Sequence, residues 1–203
     1  MNAPSSNPPG PRAVRIVLSG GPGGGKTTAA DLFRREIGDE VVVVPEAATI
    51  VFSGGFPRRA EALARRGVQT AIFHVQRNLE EVQAAAYPTR TLLCDRGTVD
   101  GGAYWPEGEG DFFTEMGTSL DAELARYDAV VFFESAARGG HAIEGGNPMR
   151  TEGVQQALAL DDSLRRLWQR HPKFYLVPHS PSFFEKITMG LAILQSLLAQ
   201  LRR

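Results

Sequence analysis

A glycine-rich stretch that ends in lysine and threonine carries the strongest chemical signal in the sequence. Residues 20–28 are Gly-Gly-Pro-Gly-Gly-Gly-Lys-Thr-Thr, and they directly follow the aliphatic run of residues 14–18. The spacing from Gly20 to Lys26-Thr27 is that of a phosphate-binding loop (P-loop), in which glycines let consecutive backbone N–H groups surround an anion at a helix N-terminus. In such a loop the catalytic lysine reaches the β- and γ-phosphates and the threonine hydroxyl ligates Mg²⁺. The residues expected to bind the nucleotide here are Gly21, Gly23, Gly24, Gly25, Lys26, Thr27 and Thr28.

Polar residues also follow two further apolar runs of the chain. Glu46 comes just after residues 41–44, and Asp95 and Arg96 follow residues 91–94. In an open parallel sheet, ligands bind beyond the carboxyl ends of the strands. We therefore expect these side chains to lie near the glycine-rich loop. A carboxylate in this position can instead cap a helix or pair with a nearby arginine, and the sequence leaves that alternative open.

Short β-branched and aliphatic runs alternate with segments of helical character. Strands are predicted at residues 14–18, 41–44, 91–94, 129–133 and 174–177. Helices are predicted at residues 27–37, 57–66, 70–86, 119–126, 154–170 and 182–202, with a break at Gly67 and a loop over residues 97–110. This alternation predicts an α/β fold with a five-stranded parallel sheet flanked by helices.

Composition limits the classes of protein to which the chain can belong. A length of 203 residues with 42% hydrophobic and 22% charged residues predicts one domain, residues 13–203, after a flexible proline-rich tail, residues 1–12. A net charge of -1 gives no electrostatic basis for extended binding to nucleic acid or a membrane surface. The single cysteine, Cys94, excludes an intrachain disulfide, and no apolar run is long enough to span a membrane. We expect a cytoplasmic protein, either a monomer or a homodimer.

Several motifs together resemble a family of small P-loop proteins described as predicted ATPases or kinases. Besides the loop, they are Val-Pro-Glu-Ala-Ala at residues 44–48, Cys-Asp-Arg-Gly-Thr-Val-Asp-Gly-Gly-Ala-Tyr-Trp at residues 94–105 and Asn-Pro-Met-Arg-Thr-Glu at residues 147–152. That family has an AAA-type ATP-binding domain related to the nicotinamide riboside kinase domain. Its layout is similar to that of deoxyribonucleoside and nucleoside monophosphate kinases. The resemblance implies a P-loop NTPase fold with a kinase-like strand order and a short lid.

The resemblance also implies roles for individual residues. Glu46 matches the glutamate that accepts the proton of the substrate hydroxyl, Asp95 would hold the Mg²⁺ shell through water, and Arg96 would contact a phosphate or the acceptor. An ion pair of Arg96 with Asp95 or Glu46 that only fixes the strand ends is the alternative. Arg150 and Arg138 match lid arginines that neutralise the transferred phosphoryl group, and Arg150 fits the motif better. These assignments make Lys26, Glu46, Asp95, Arg96 and Arg150 the candidate catalytic residues, with Thr27 and Asp95 as metal ligands and Arg138 as a nucleotide contact.

The remaining candidates concern the acceptor. Gln76 matches the polar position of a helix that contacts substrate in related kinases. Asp100, Tyr104 and Trp105 suit a pocket with aromatic walls, or equally a hydrophobic cover over a strand end. Together these features predict ATP- and Mg²⁺-dependent phosphoryl transfer to a small nucleoside-like or metabolite acceptor. The alternative is a regulatory NTPase whose di- or triphosphate state controls contact with a partner or lipid.

Overall fold

A computed structural model describes residues 12–139 and 153–201. Most of the predicted N-terminal tail and most of the predicted lid therefore lie outside the described residues. The five strands are β1 (Arg15–Ser19), β2 (Val41–Val44), β3 (Thr91–Asp95), β4 (Ala129–Phe133) and β5 (Phe174–Val177). They form one parallel sheet in the order β2-β3-β1-β4-β5. This confirms the predicted five-stranded parallel sheet.

Strand register brings the three polar strand ends together. Leu18 of β1 is level with Asp95 of β3, and Val44 of β2 is level with Cys94 of β3. The segments that follow β1, β2 and β3 therefore leave the same edge of the sheet side by side. The chain passes from β3 across β1 to β4, so the strand order reverses next to the P-loop, where open α/β sheets bind their ligands.

Helices flank the sheet on both faces. In the described part of the chain they are α1 (Lys26–Ile37), α2 (Ala47–Ser53), α3 (Ala62–Ala86), α4 (Gly101–Tyr104), α5 (Phe112–Glu115), α6 (Leu120–Leu124), α7 (Val154–Trp168) and α8 (Phe183–Leu201). Phe73 of α3 and Trp168 of α7 pack on one face, and Phe33 of α1 and Leu194 of α8 pack on the other. Burial of both faces is typical of parallel sheets. None of the helices in residues 12–139 and 153–201 has the length and apolar character needed to cross a bilayer.

Three sequence predictions about helices were wrong. The helix predicted to begin at residue 57 begins only at Ala62, where α3 starts. Gly67 does not end a helix, because it lies inside α3, which runs without a break over 25 residues. Glycine lowers helix stability by about 1 kcal/mol relative to alanine, and packing of a long amphipathic face outweighs a cost of that size. The loop predicted for residues 97–110 contains α4, which begins directly after a 3₁₀ turn at Thr98–Asp100. Helix α2, which follows Glu46, was not predicted at all.

Candidate nucleotide-binding and acceptor site

The P-loop leaves β1 and enters α1 at Lys26. Gly25 adopts a left-handed conformation, with φ at 84°, immediately before the helix. At Gly20 a Cβ atom would lie 2.0 Å from the carbonyl oxygen of Phe133, so only glycine fits there. The Lys26 side chain is buried, and its Nζ donates to the carbonyl oxygens of Gly20 at 2.7 Å and Gly21 at 2.8 Å. The lysine is thus held inside the curve of the loop. The predicted nucleotide contacts from Gly21 to Thr28 all lie in this loop or in the first turn of α1.

A buried carboxylate on α7 supports the loop from behind. Asp161 is completely buried, and its Oδ1 accepts hydrogen bonds from the backbone N–H groups of Gly21 at 2.8 Å and Ser135 at 3.1 Å. Ser135 in turn donates its hydroxyl to the carbonyl oxygen of Pro22. Sequence analysis missed Asp161, because an acidic residue within a charged amphipathic helix gives no signal of its own. The P-loop conformation therefore depends on a residue far away in the sequence.

Arg138, a predicted nucleotide contact, is bound to acidic side chains of α7. Its Nε donates to Asp161 Oδ2 at 2.9 Å, and its second guanidinium nitrogen contacts Asp162. The hydrogen bond to Asp162 raises the pKa of Arg138. Arg150, the other predicted lid arginine, lies outside the described residues.

Thr27 and Asp95 lie together at the start of α1. The Thr27 hydroxyl donates to Asp95 Oδ2 at 2.7 Å, whereas Asp95 Oδ1 is buried and has no hydrogen-bond partner among residues 12–139 and 153–201. Burial and the nearby charge of Glu46 raise the pKa of Asp95. A hydroxyl and an orphaned carboxylate oxygen beside a phosphate-binding loop fit Mg²⁺, which takes few protein oxygens and completes its shell with water and phosphate. The donor set present therefore suits the predicted metal.

Arg96 links two carboxylates at the end of β3. Its Nε lies 2.5 Å from Glu46 Oε1, and its NH1 lies 2.8 Å from Asp100 Oδ2. The other oxygen of Asp100 accepts from the Ser19 hydroxyl at 2.8 Å and from the Trp168 indole at 2.6 Å. Arg96 thus forms one of its expected ion pairs, with Glu46, and a second with Asp100. This network fixes the orientation of the guanidinium.

The backbone of Arg96 and the charge of Glu46 are both unusual. Arg96 has φ at 74°, a left-handed conformation that a non-glycine residue rarely adopts and that is often found at functional sites. Burial by itself would raise the pKa of Glu46. The Arg96 guanidinium and the hydrogen bond from Thr49 outweigh this effect and lower the pKa to about 2. Glu46 is therefore fully ionised at neutral pH.

A cleft of about 130 Å³ extends from the P-loop residue Pro22 along α2, α3 and α4. Five of the predicted residues line it: Glu46, Gln76, Arg96, Asp100 and Tyr104. Trp105 does not, because its indole donates to the Glu109 carbonyl at 3.2 Å and its ring packs on Phe112 at 5.4 Å. The sequence left open whether this segment forms the wall of a pocket or a hydrophobic cover over a strand end. Tyr104 suits the first interpretation, and Trp105 suits the second.

Helix α3 supplies one long wall of the cleft. Gln76 donates from its Nε2 to Glu80 Oε1 on the same helix at 3.1 Å and to the Arg96 carbonyl at 3.2 Å, so one of its N–H groups holds the residue that follows β3. Sequence analysis did not include Gln69, Ile72 and Phe73 among the acceptor-binding residues, although all three line the cleft. Gln69, Ile72 and Phe73 precede Gln76 by seven, four and three residues, respectively. Residues at these spacings share one face of a helix, and this pattern could have identified them.

The P-loop, the strand order and the cleft define a P-loop kinase-like fold. A family model described as an AAA domain matches residues 15–186. Because that match spans most of the chain, the protein belongs to this family. Among 305 matching chains of solved structures is thymidylate kinase from Ehrlichia chaffeensis, with a TM-score of 0.61 and 14% identity over 93% of this chain and 100% of that chain. At this identity the likeness shows the fold alone. A search of curated protein sequences finds no match.

Proposed function

We propose that the protein transfers the γ-phosphoryl group of ATP, with GTP as a possible donor, to a small nucleoside-like or metabolite acceptor in a Mg²⁺-dependent reaction. One observation carries the proposal. Arg96 joins Glu46 and Asp100 in the wall of a cleft that begins at the P-loop. A cation held by two carboxylates, one of them ionised at neutral pH, thus lines a cleft that begins at the P-loop, and this supports a reaction between a bound nucleotide and a second molecule.

The proposed reaction forms a bond from an acceptor oxygen to the γ-phosphorus and breaks the bond to the oxygen that bridges the β- and γ-phosphates. ADP leaves, and the proton of the acceptor hydroxyl passes by way of the Glu46 carboxylate to solvent. Phosphoryl transfer depends mainly on positioning and charge neutralisation. Glu46 would accept a hydrogen bond from the acceptor hydroxyl and orient it for attack. Because the pKa of Glu46 is about 2, its main contribution would be this orientation rather than strong basicity.

The donor side would use the residues of the P-loop. Lys26 would exchange its contacts with the Gly20 and Gly21 carbonyl oxygens for contacts with the β- and γ-phosphates. Thr27 and Asp95 would hold Mg²⁺, which would neutralise phosphate charge when bound. Arg96 is close enough to Glu46 to place its positive charge beside the acceptor oxygen.

The test is an ADP-release assay with ATP, Mg²⁺ and a panel of nucleosides, nucleoside monophosphates and other hydroxyl metabolites. We expect acceptor-dependent ADP with at least one class. In the Glu46→Gln variant, turnover should fall by about 10²-fold, the size of effect expected when the acceptor is no longer held in position. ATP affinity measured by calorimetry should stay within about threefold, because the substitution leaves the donor contacts in place. Glu36→Gln, an exposed carboxylate on α1, is the matched control. ADP release that no acceptor stimulates would contradict the proposal and favour the regulatory NTPase.

A further inference from the structure

Gln69 is a mostly buried polar residue on the cleft side of α3. It is 9% exposed and lines the cleft. Across residues 12–139 and 153–201, no hydrogen bond to its amide is formed. The amide atoms reach the open space of the cleft, because they are not among the fully buried side-chain atoms that lack a partner. Because an amide offers both an acceptor oxygen and two N–H donors, Gln69 presents an unused hydrogen-bonding pair to whatever enters the cleft.

The neighbouring amide on the same helix face is already occupied. Gln76 uses both of its N–H groups on Glu80 and the Arg96 carbonyl. Gln69 and Gln76 are seven residues apart, which is two helical turns, or about 10 Å along the axis of α3. Since Gln76 contacts Arg96, Gln69 lies about two turns from the proposed reacting end. The Gln69 amide is thus set back along α3 from the residues proposed to act at the acceptor oxygen.

Aromatic and aliphatic side chains line the same cleft as Gln69. Ile72 and Phe73 come from α3, Phe52 from α2 and Tyr104 from α4. The Arg58 guanidinium lies 3.9 Å from the centroid of the Phe52 ring and already stacks on one of its faces. Aromatic walls with a single free amide suit a planar ring that is held by its faces and hydrogen-bonded along one edge.

We infer that Gln69 is a specificity-determining residue that pairs, through its carbonyl and its NH₂ group, with the edge of a planar heterocycle in the acceptor. The ring must carry an adjacent hydrogen-bond donor and acceptor on that edge, as nucleobases and similar lactam or amidine rings do. The inference rests on the proposed function for the assignment of this cleft to the acceptor. It selects heterocyclic acceptors over open-chain or purely sugar-like metabolites.

The test uses nucleosides in matched pairs that differ by methyl groups on the ring edge. Uridine is compared with 3-methyluridine, and adenosine with N6,N6-dimethyladenosine, by isothermal titration calorimetry without ATP. In at least one pair the protein should bind the unmethylated member about 10- to 100-fold more tightly, the range that a bidentate edge contact provides. In Gln69→Met, which keeps the length of the side chain and removes the amide, that ratio should fall to about 1. Gln195→Leu, on the exposed side of α8, should leave it unchanged.

The outcomes separate this inference from the proposed function. If no nucleoside binds, if both members of each pair bind equally, or if the ratio persists in Gln69→Met and in Gln69→Ala, the assignment of Gln69 is overturned. If binding depends on Gln69 but no nucleoside stimulates ADP release, the assignment stands and the kinase proposal fails. If acceptors are phosphorylated at rates that do not depend on Gln69, the kinase proposal stands and this assignment fails.

Discussion

The ion pair between Glu46 and Arg96 should make stability depend on pH in a measurable way. The pKa of Glu46 falls from 4.5 to about 2 in the folded protein. At about 1.4 kcal/mol per pH unit, this corresponds to roughly 3 kcal/mol of stabilisation at pH 7. The side chain is only 13% exposed, so solvent screening reduces this little. The Glu46 charge also raises the pKa of Asp95, which is an unfavourable interaction between two carboxylates. Removing the Glu46 charge relieves that interaction and so offsets part of the lost stabilisation. We therefore expect Glu46→Gln to lower the unfolding free energy by about 2–3 kcal/mol at pH 7.

The sign of the effect follows from the lowered pKa. A carboxylate whose pKa is lower in the folded state stabilises the fold above its unfolded pKa, and this stabilisation is lost as pH falls through the folded value. For Glu46 the loss begins near pH 4.5 and is completed below pH 2. At pH 3 the contribution should be about 1 kcal/mol, less than half of its value at pH 7. The wild-type and Glu46→Gln curves should therefore converge as pH falls.

Urea unfolding followed by tryptophan fluorescence at pH 7, 5, 4 and 3 measures the difference between the two proteins. Glu36→Gln on the exposed face of α1 controls for the general effect of removing a carboxylate, and it should track the wild type. A gap between wild type and Glu46→Gln that stays constant from pH 7 to pH 3 would refute the ion-pair reasoning. So would a gap below about 0.5 kcal/mol at pH 7, the size expected of an exposed pair.

Three further predictions test other parts of the structure. Lys26→Ala should weaken ATP binding by about 10- to 100-fold in calorimetry, because charged hydrogen bonds to phosphate are lost; unchanged affinity would remove Lys26 from the donor site. Gly97→Ala would place a Cβ atom 2.9 Å from the Trp168 ring and should lower the free energy of unfolding in urea by about 1–3 kcal/mol. Gly67→Ala adds a Cβ atom with nothing within 4 Å, so it should raise the free energy of unfolding by up to about 1 kcal/mol. The Cys94 thiol is fully buried, and burial raises its pKa, so Ellman's reagent should modify it only after unfolding.

The sheet could be predicted from the sequence because its strands leave a strong local pattern. Runs such as residues 41–44 and 129–133 are too apolar and too β-branched for anything but a covered strand. The carboxyl ends of parallel strands meet at one edge, so the proximity of Glu46 and Arg96 also followed. Local patterns were less informative about helix continuity. Gly67 carries an intrinsic cost, but only the three-dimensional contacts of α3 show that packing outweighs it.

The acceptor side could be predicted only in part because it depends on which polar groups are already paired. Gln69 and Gln76 look equivalent in the sequence, and both fall on one face of α3. The structure distinguishes them, because Gln76 holds the Arg96 carbonyl whereas Gln69 does not pair with any described residue. Tyr104 and Trp105 are likewise adjacent, yet successive residues at a helix end point in different directions, and only Tyr104 lines the cleft.

The hydrogen bond from Trp168 to Asp100 gives the protein an internal optical probe. The indole of Trp168 is fully buried, and the carboxylate to which it donates also holds the Arg96 guanidinium. The emission of a buried indole depends on the charges beside it, so any ligand that moves Arg96 changes the field at this fluorophore. The sequence contains two tryptophans, and the other one, Trp105, lies in the hydrophobic cover. A Trp105→Phe variant would leave a single emitter in direct contact with the carboxylate network, so that occupancy of the cleft can be followed in real time without a label.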